Sequence, residues 1–221
     1  MITLTTDTTK AVFFDLNGTL IRDRDIHRQN FSSLLKEYGL ELDKQEYDLK
    51  VDNRLNRDIW VNLFGNCVSE AELEALSVIQ ERRYFQLMPL NITLTPGAQS
   101  LLVALVTMDI PIFLVSSAPE NVVRFVLQRL QLEDVFTQVI TGSMVHKGKP
   151  DPEIYKLALE TSKCTADQIL TFEDSPQGAL SSMGAGLRTV GVLPEYTKQE
   201  LSDVGITEFI NDFTEIEVII N

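Results

Sequence analysis

Ala11-Val12-Phe13-Phe14 is an unbroken apolar run that stops at Asp15, with Asn17-Gly18 just behind it. Such a run, without polar alternation, predicts a strand covered on both faces, as in a parallel sheet. The form recurs along the chain. Ile112-Phe113-Leu114-Val115 stops at Ser116-Ser117, and Val139-Ile140-Thr141 stops at Gly142. Ile169-Leu170-Thr171-Phe172 stops at Glu173-Asp174, Thr189-Val190-Gly191-Val192 stops at Leu193-Pro194, and Phe209-Ile210 is a weaker instance. Between these runs the apolar residues have helical spacing. Leu101, Leu102, Leu105 and Met108 mark one helix; Val122, Val123, Val126, Leu127 and Leu130 mark another; Ile154, Leu157 and Ala158 mark a third, with Pro152 in its first turn. Alternation of this kind predicts an α/β fold, a doubly wound Rossmann-like parallel sheet whose strand carboxyl ends bind ligands.

Residues 22–92 interrupt that rhythm. They hold no convincing strand, but amphipathic patterns run through Phe31, Leu34, Leu35 and Tyr38, through Ile59, Trp60, Leu63 and Phe64, and through Leu73, Leu76, Ile79 and Phe85. The expected organisation is a core of residues 1–21 and 93–221 with an inserted helical cap at 22–92, returning through the turn Leu94-Thr95-Pro96-Gly97. A length of 221 residues suits one core plus a smaller insert.

Charge narrows the partners. With 19 Lys and Arg against 32 Asp and Glu, the net charge is −13, which disfavours nucleic-acid and anionic-membrane surfaces. A small anionic ligand answers to local groups and stays possible. Cys67 and Cys164 are far apart, lack metal-type spacing and read as reduced thiols; two histidines, His27 and His146, exclude a multi-histidine metal site. No apolar run is long enough for a bilayer, and Asp7 among threonines spoils a signal peptide, so a cytoplasmic protein is expected.

Four polar clusters follow the apolar runs or precede a helix: Asp15-Leu16-Asn17-Gly18-Thr19, Ser116-Ser117, Lys149-Pro150-Asp151-Pro152 and Glu173-Asp174-Ser175 with Gly178. Each alone has an ordinary explanation: a turn, a strand end, a solvated lysine, a helix N-terminal charge pair. Together they offer a carboxylate nucleophile, hydroxyl and ammonium donors for phosphoryl oxygens, and acidic ligands for a hard divalent cation.

These clusters resemble those of the haloacid-dehalogenase-like superfamily, in its phosphoglycolate phosphatase and β-phosphoglucomutase subgroup with a helical cap. Phe-Phe-Asp-Leu-Asn-Gly-Thr-Leu (13–20), Leu-Val-Ser-Ser (114–117), Gly-Lys-Pro-Asp-Pro-Glu-Ile-Tyr (148–155) and Phe-Glu-Asp-Ser-Pro-Gln-Gly (172–178) carry the likeness. It implies a Mg²⁺-dependent phosphatase acting on a small phosphorylated metabolite. Asp15 would attack phosphorus and form an aspartyl phosphate. Thr19, Ser116, Ser117 and Lys149 would bind phosphate. Asp15, Asp174, Glu173 and the backbone carbonyl of Asn17 would surround Mg²⁺, with Glu173 a ligand or one step removed. His27 falls where relatives often carry a cap-proximal histidine, and Arg57, or Arg54 nearby, would reach a second anionic group. Solvated cap positions are the alternative for each.

The departure is Asn17. The resemblance calls for a second aspartate there, one that protonates the leaving group and then deprotonates water. An amide exchanges no proton near neutral pH, and loss of such a group costs about 10²–10⁴-fold in rate. Three readings follow: a weak phosphatase, for instance of acyl phosphates that need no leaving-group proton; a pseudo-phosphatase that binds a ligand or a protein partner; or an Asp→Asn change introduced into an active enzyme. Restoring aspartate is expected to raise the rate by orders of magnitude.

Overall fold

The computed structural model describes residues 2–65 and 68–219; Cys67 lies outside them, and Cys164 is half-buried. Strand β1 (Ile2–Thr5) precedes β2 (Ala11–Phe14). Four helices follow: α1 (Arg24–Glu37), α2 (Lys44–Lys50), α3 (Asn56–Phe64) and α4 (Glu70–Leu87). Strand and helix then alternate through α5 (Ala98–Thr107), β3 (Ile112–Ser116), α6 (Glu120–Leu130), β4 (Gln138–Thr141), α7 (Glu153–Ser162), β5 (Ile169–Glu173), α8 (Pro176–Gly184), β6 (Arg188–Val192), α9 (Lys198–Asp203), β7 (Glu208–Ile210) and β8 (Ile216–Ile219).

The main sheet is parallel throughout, in the order β4-β3-β2-β5-β6-β7. Its central strands are apolar on both faces because both faces are covered. Val12, Phe14, Leu114 and Phe172 pack with α5 and α6, while Ala11, Phe13, Phe113 and Val115 pack with Ile154, Tyr155 and Ala158 of α7. The chain lays β3 and β4 to one side of β2, then crosses to the other side for β5. At that reversal an open α/β sheet parts its loops into a crevice at the strand carboxyl ends. Asp15, Ser116 and Glu173-Asp174 follow or end the three adjacent strands β2, β3 and β5, so topology alone gathers them.

The strands at 2–5 and 216–219 were not foreseen in the sequence. They pair with each other in parallel, Ile2 opposite Ile216 and Leu4 opposite Val218, apart from the main sheet. The four helices between β2 and α5 have their own apolar cluster, including Phe31, Leu34, Leu35, Tyr47, Trp60 and Leu76. They also seat on the core. Tyr84 and Met88 join the main cluster, Phe85 lies 4.6 Å from Phe125 between ring centroids, and Asn121 of α6 donates to Glu81 at 2.7 Å.

A second seat is electrostatic. Arg24, 4 % exposed, donates to the Glu195 carbonyl at 2.8 Å and to Asp48 at 2.7 Å, and lies 3.2 Å from Asp52. Its guanidinium covers the Tyr196 ring at 3.8 Å, and the Tyr196 hydroxyl donates to Asp52 at 2.8 Å. One arginine thereby joins the α2 region to the loop after β6.

Candidate active site

Asp15 continues β2 into the crevice, its amide donating to the Phe172 carbonyl at 3.1 Å. Glu173 ends β5, and Asp174 follows just before α8. Ser175 caps that helix by accepting from the Gly178 amide at 3.0 Å, and Pro176 occupies the first turn, where its missing N–H costs nothing. The cap thus fixes the backbone that carries both carboxylates. Two glycines make room for them. A Cβ at Gly18, where φ is +87°, would stand 2.1 Å from Asp174 Oδ2, and one at Gly178 would stand 2.0 Å from Glu173 Oε2.

Lys149 arrives from the loop before α7 and is fully buried. Its ammonium donates to Asp15 Oδ1 at 2.7 Å, Glu173 Oε1 at 2.6 Å and the Val115 carbonyl at 3.3 Å, so all its protons are engaged. Tyr155, which sequence reasoning passed over although it closes the third motif, donates to the same Glu173 oxygen at 2.5 Å. Burial opposes the lysine's charge, but Asp15 and Glu173 outweigh it and raise its pKa above the ordinary value. Burial pushes the Asp15 carboxyl up to about 7; the Lys149 ammonium pulls against that, and the Glu173 charge adds to it. Burial, with the charges of Asp15 and Glu173, pushes Asp174 well up.

Asp15, Glu173 and Asp174 each place a carboxylate oxygen within 4.8 Å of the others, all buried. Lys149 supplies a single positive charge against them. Asp15 Oδ2 and Glu173 Oε2 have no hydrogen-bond partner among the described residues. Excess buried negative charge with unpartnered oxygens fits a hard divalent cation.

The other sequence candidates divide. Ser116 is buried; its hydroxyl donates to Asn17 Oδ1 at 3.5 Å and accepts from the Ala118 amide at 3.2 Å. The Ser117 hydroxyl is buried without a partner among the described residues, and Ser117 lines the cavity. Thr19 is instead turned toward Asp174, its hydroxyl 3.4 Å from Oδ1, and is not part of the cavity wall. That contact orients a carboxylate more directly than it reaches a phosphate. Arg57 is exposed, pairs with Glu70 at 2.6 Å and stands off the cavity that Asn17 and Ser117 line, whereas Arg54 lines it. The cavity prefers Arg54 because α3 turns residue 57 toward solvent.

His27 lines the cavity beside Asn17. Between them lies a group sequence reasoning missed, Asp23, which accepts from Asn17 Nδ2 at 2.6 Å and from the Tyr84 hydroxyl at 2.6 Å. His27 Nε2 is 3.1 Å from the same carboxylate. Burial alone would raise Asp23, but the His27 charge and the three hydrogen bonds outweigh it and hold the carboxyl below its usual range. Burial disfavours charge on His27, yet Asp23 reverses this and raises the imidazole. An acidic residue at the head of a predicted helix was the available signal, but it reads first as a dipole partner.

The site thus combines a carboxylate at the tip of a central strand, a buried lysine against it and an acidic pair on the next strand. A model of the haloacid dehalogenase-like hydrolases matches residues 12–192. The chain is similar to the validoxylamine A 7'-phosphate phosphatase of Streptomyces hygroscopicus subsp. limoneus, 28% identical over 212 residues that cover 94% of this chain and 95% of that one. It is similar to the β-phosphoglucomutase of Bacillus subtilis, 28% identical over 83% of each chain. A solved HAD hydrolase of Entamoeba histolytica, family IA, variant 3, superposes with a TM-score of 0.83 at 30% identity over 95% of this chain and 96% of that one. Since the family match spans every strand that carries the site, the chain belongs to the haloacid dehalogenase-like hydrolases, in the subgroup of phosphoglycolate phosphatase and β-phosphoglucomutase.

Proposed function

We propose that this chain is a phosphatase of small phosphorylated metabolites, sugar phosphates among them, with Asp15 as nucleophile and a turnover held low by Asn17. The observation that carries the reading is the buried Asp15, anchored by Lys149 through Oδ1 while Oδ2 has no partner among the described residues. Oδ2 would attack phosphorus, the phosphorus–oxygen bond to the leaving group would break, and water would then release phosphate from the aspartyl phosphate. Asp15, Glu173 and Asp174 would hold Mg²⁺, and the ion when bound supplies the positive charge that lets a phosphate dianion approach a carboxylate. Ser116 and Ser117 would donate to phosphoryl oxygens. Lys149, with its protons already engaged, would share its charge with the phosphate by loosening one contact. Residues 22–92 would act as the cap over a core of 1–21 and 93–221, with Arg54 and His27 on its inner wall. The family likeness to phosphatases supports the reaction class.

The test is acetyl phosphate with Mg²⁺, followed by intact mass and phosphate release. The expected result is an adduct that maps to Asp15, is absent in Asp15→Asn, and decays slowly because Asn17 cannot activate water. Neither adduct nor phosphate release would favour a module that binds ligands or proteins without turnover.

A further inference from the structure

Asn17 is held by a carboxylate. Asp23 is 1 % exposed, and three groups converge on its Oδ2: Asn17 Nδ2 at 2.6 Å, the Tyr84 hydroxyl at 2.6 Å and His27 Nε2 at 3.1 Å. His27 is kept over this point by stacking on the Tyr84 ring at 4.6 Å. The other end of the Asn17 amide, Oδ1, receives the Ser116 hydroxyl at 3.5 Å. Asn17 Nδ2 also lies 3.3 Å from His27 Nε2, which could face an oxygen instead, but turning the amide over would set its carbonyl oxygen against the nearer Asp23 carboxylate, so Asp23 decides its orientation. Position 17 therefore needs a donor toward Asp23 and an acceptor toward Ser116. An amide satisfies both, while an ionised carboxylate has no hydrogen to offer and would bring a second negative charge against a buried first one.

We propose that Asp23 is a positioning residue matched to the amide of Asn17, so that a carboxylate at position 17 is accommodated and serves in proton transfer only after Asp23 is made neutral. The inference rests on the phosphatase reading above. It alters the expectation that restoring aspartate at position 17 suffices, and it makes the amide part of the site's design: a lone Asp→Asn exchange would not supply the buried acceptor that meets it.

The experiment compares the parent chain, Asn17→Asp, Asp23→Asn and the double variant, with acetyl phosphate and Mg²⁺ as probe and thermal unfolding as a second measurement. The expected result is that Asn17→Asp melts below the parent, that the double variant recovers the lost melting temperature, and that it releases phosphate about 10²-fold or more faster than Asn17→Asp. If Asn17→Asp alone reaches the rate of the double variant and melts with the parent, the match does not exist. Should Asn17→Asp fail to fold while the double variant folds, that recovery supports the proposal. If no chain releases phosphate, the phosphatase reading fails by itself. The melting temperatures then still decide: a loss reversed by the second change supports the match, and additive losses overturn it.

Discussion

At the scale of single residues, charge compensation dominates. Among the described residues Lys149 is the one cation touching Asp15 and Glu173, and all three are buried. Lys149→Met leaves two carboxylates without it and is expected to lower stability by about 3–5 kcal/mol, the range for breaking a buried ion pair, as read by urea unfolding. A loss confined to activity would show that the pair is relaxed by solvent. The His27–Asp23 pair makes a pH-dependent prediction. Asp23 is held below its ordinary 3.8, so its stabilisation is present above that value and is lost as pH falls through the lower folded value. His27 is raised above 6.5, so its stabilisation is complete below 6.5 and is lost as pH rises through the higher folded value. Stability in the parent should fall on the alkaline side of this window, and His27→Gln should lack that fall. Denaturant unfolding across neutral pH checks it, and parallel profiles would refute it.

Among the elements, α8 has the most consequence for the site. Ser175→Ala removes its cap and is expected to cost about 1 kcal/mol of stability. It should also weaken Mg²⁺ binding by titration, because the same turn carries Asp174. Gly178→Ala should do so more strongly, since the new methyl would overlap the Glu173 carboxylate. Unchanged Mg²⁺ affinity in Gly178→Ala would mean that Glu173 moves without consequence. Legibility in the sequence followed burial. Strands β2, β3 and β5 read clearly because coverage on both faces makes apolar runs, and β7 read weakly because Glu208 and Phe209 are only half-buried. The β1–β8 pair did not, because Ile2 and Leu4 alternate with threonines and Ile216-Glu217-Val218 sits in an acidic stretch that reads as solvated surface. The site divides in the same way. Asp15, Ser116 and Glu173 stand at the ends of legible strands, and Lys149 lies in the loop just before a legible helix. Asp23, Tyr84 and Arg24 find their partners far along the chain, Tyr84 and Asp23 being 61 positions apart and Arg24 and Glu195 171, and such pairs leave no local pattern.

For the whole molecule, the net charge of −13 is largely a surface property, while the site concentrates three carboxylates and one lysine in its interior. The cavity lined by Asn17, His27, Tyr47, Ile59, Ser116 and Asp174 has a volume of about 70 Å³, well below the ~300–1,000 Å³ usual for small-molecule pockets, so a ligand of ordinary metabolite size requires its walls to separate. Arg24 resists that separation. Arg24→Met is expected to speed amide hydrogen exchange in α1 and α2 while leaving β2, β3 and β5 protected; uniform exchange would show that the arginine is no fastening. The Asp23 carboxylate, the Arg24 guanidinium and the His27 imidazole belong to the start of α1, and Asp23 and Arg24 reach partners on the core, Asn17 and Glu195. A swing of α1 away from the sheet would therefore break both contacts in one event. Such a gate imposes its own clock: once chemistry is quick, as in a repaired double variant, kcat should level off at one common value across substrates with different leaving groups, set by how often the gate opens.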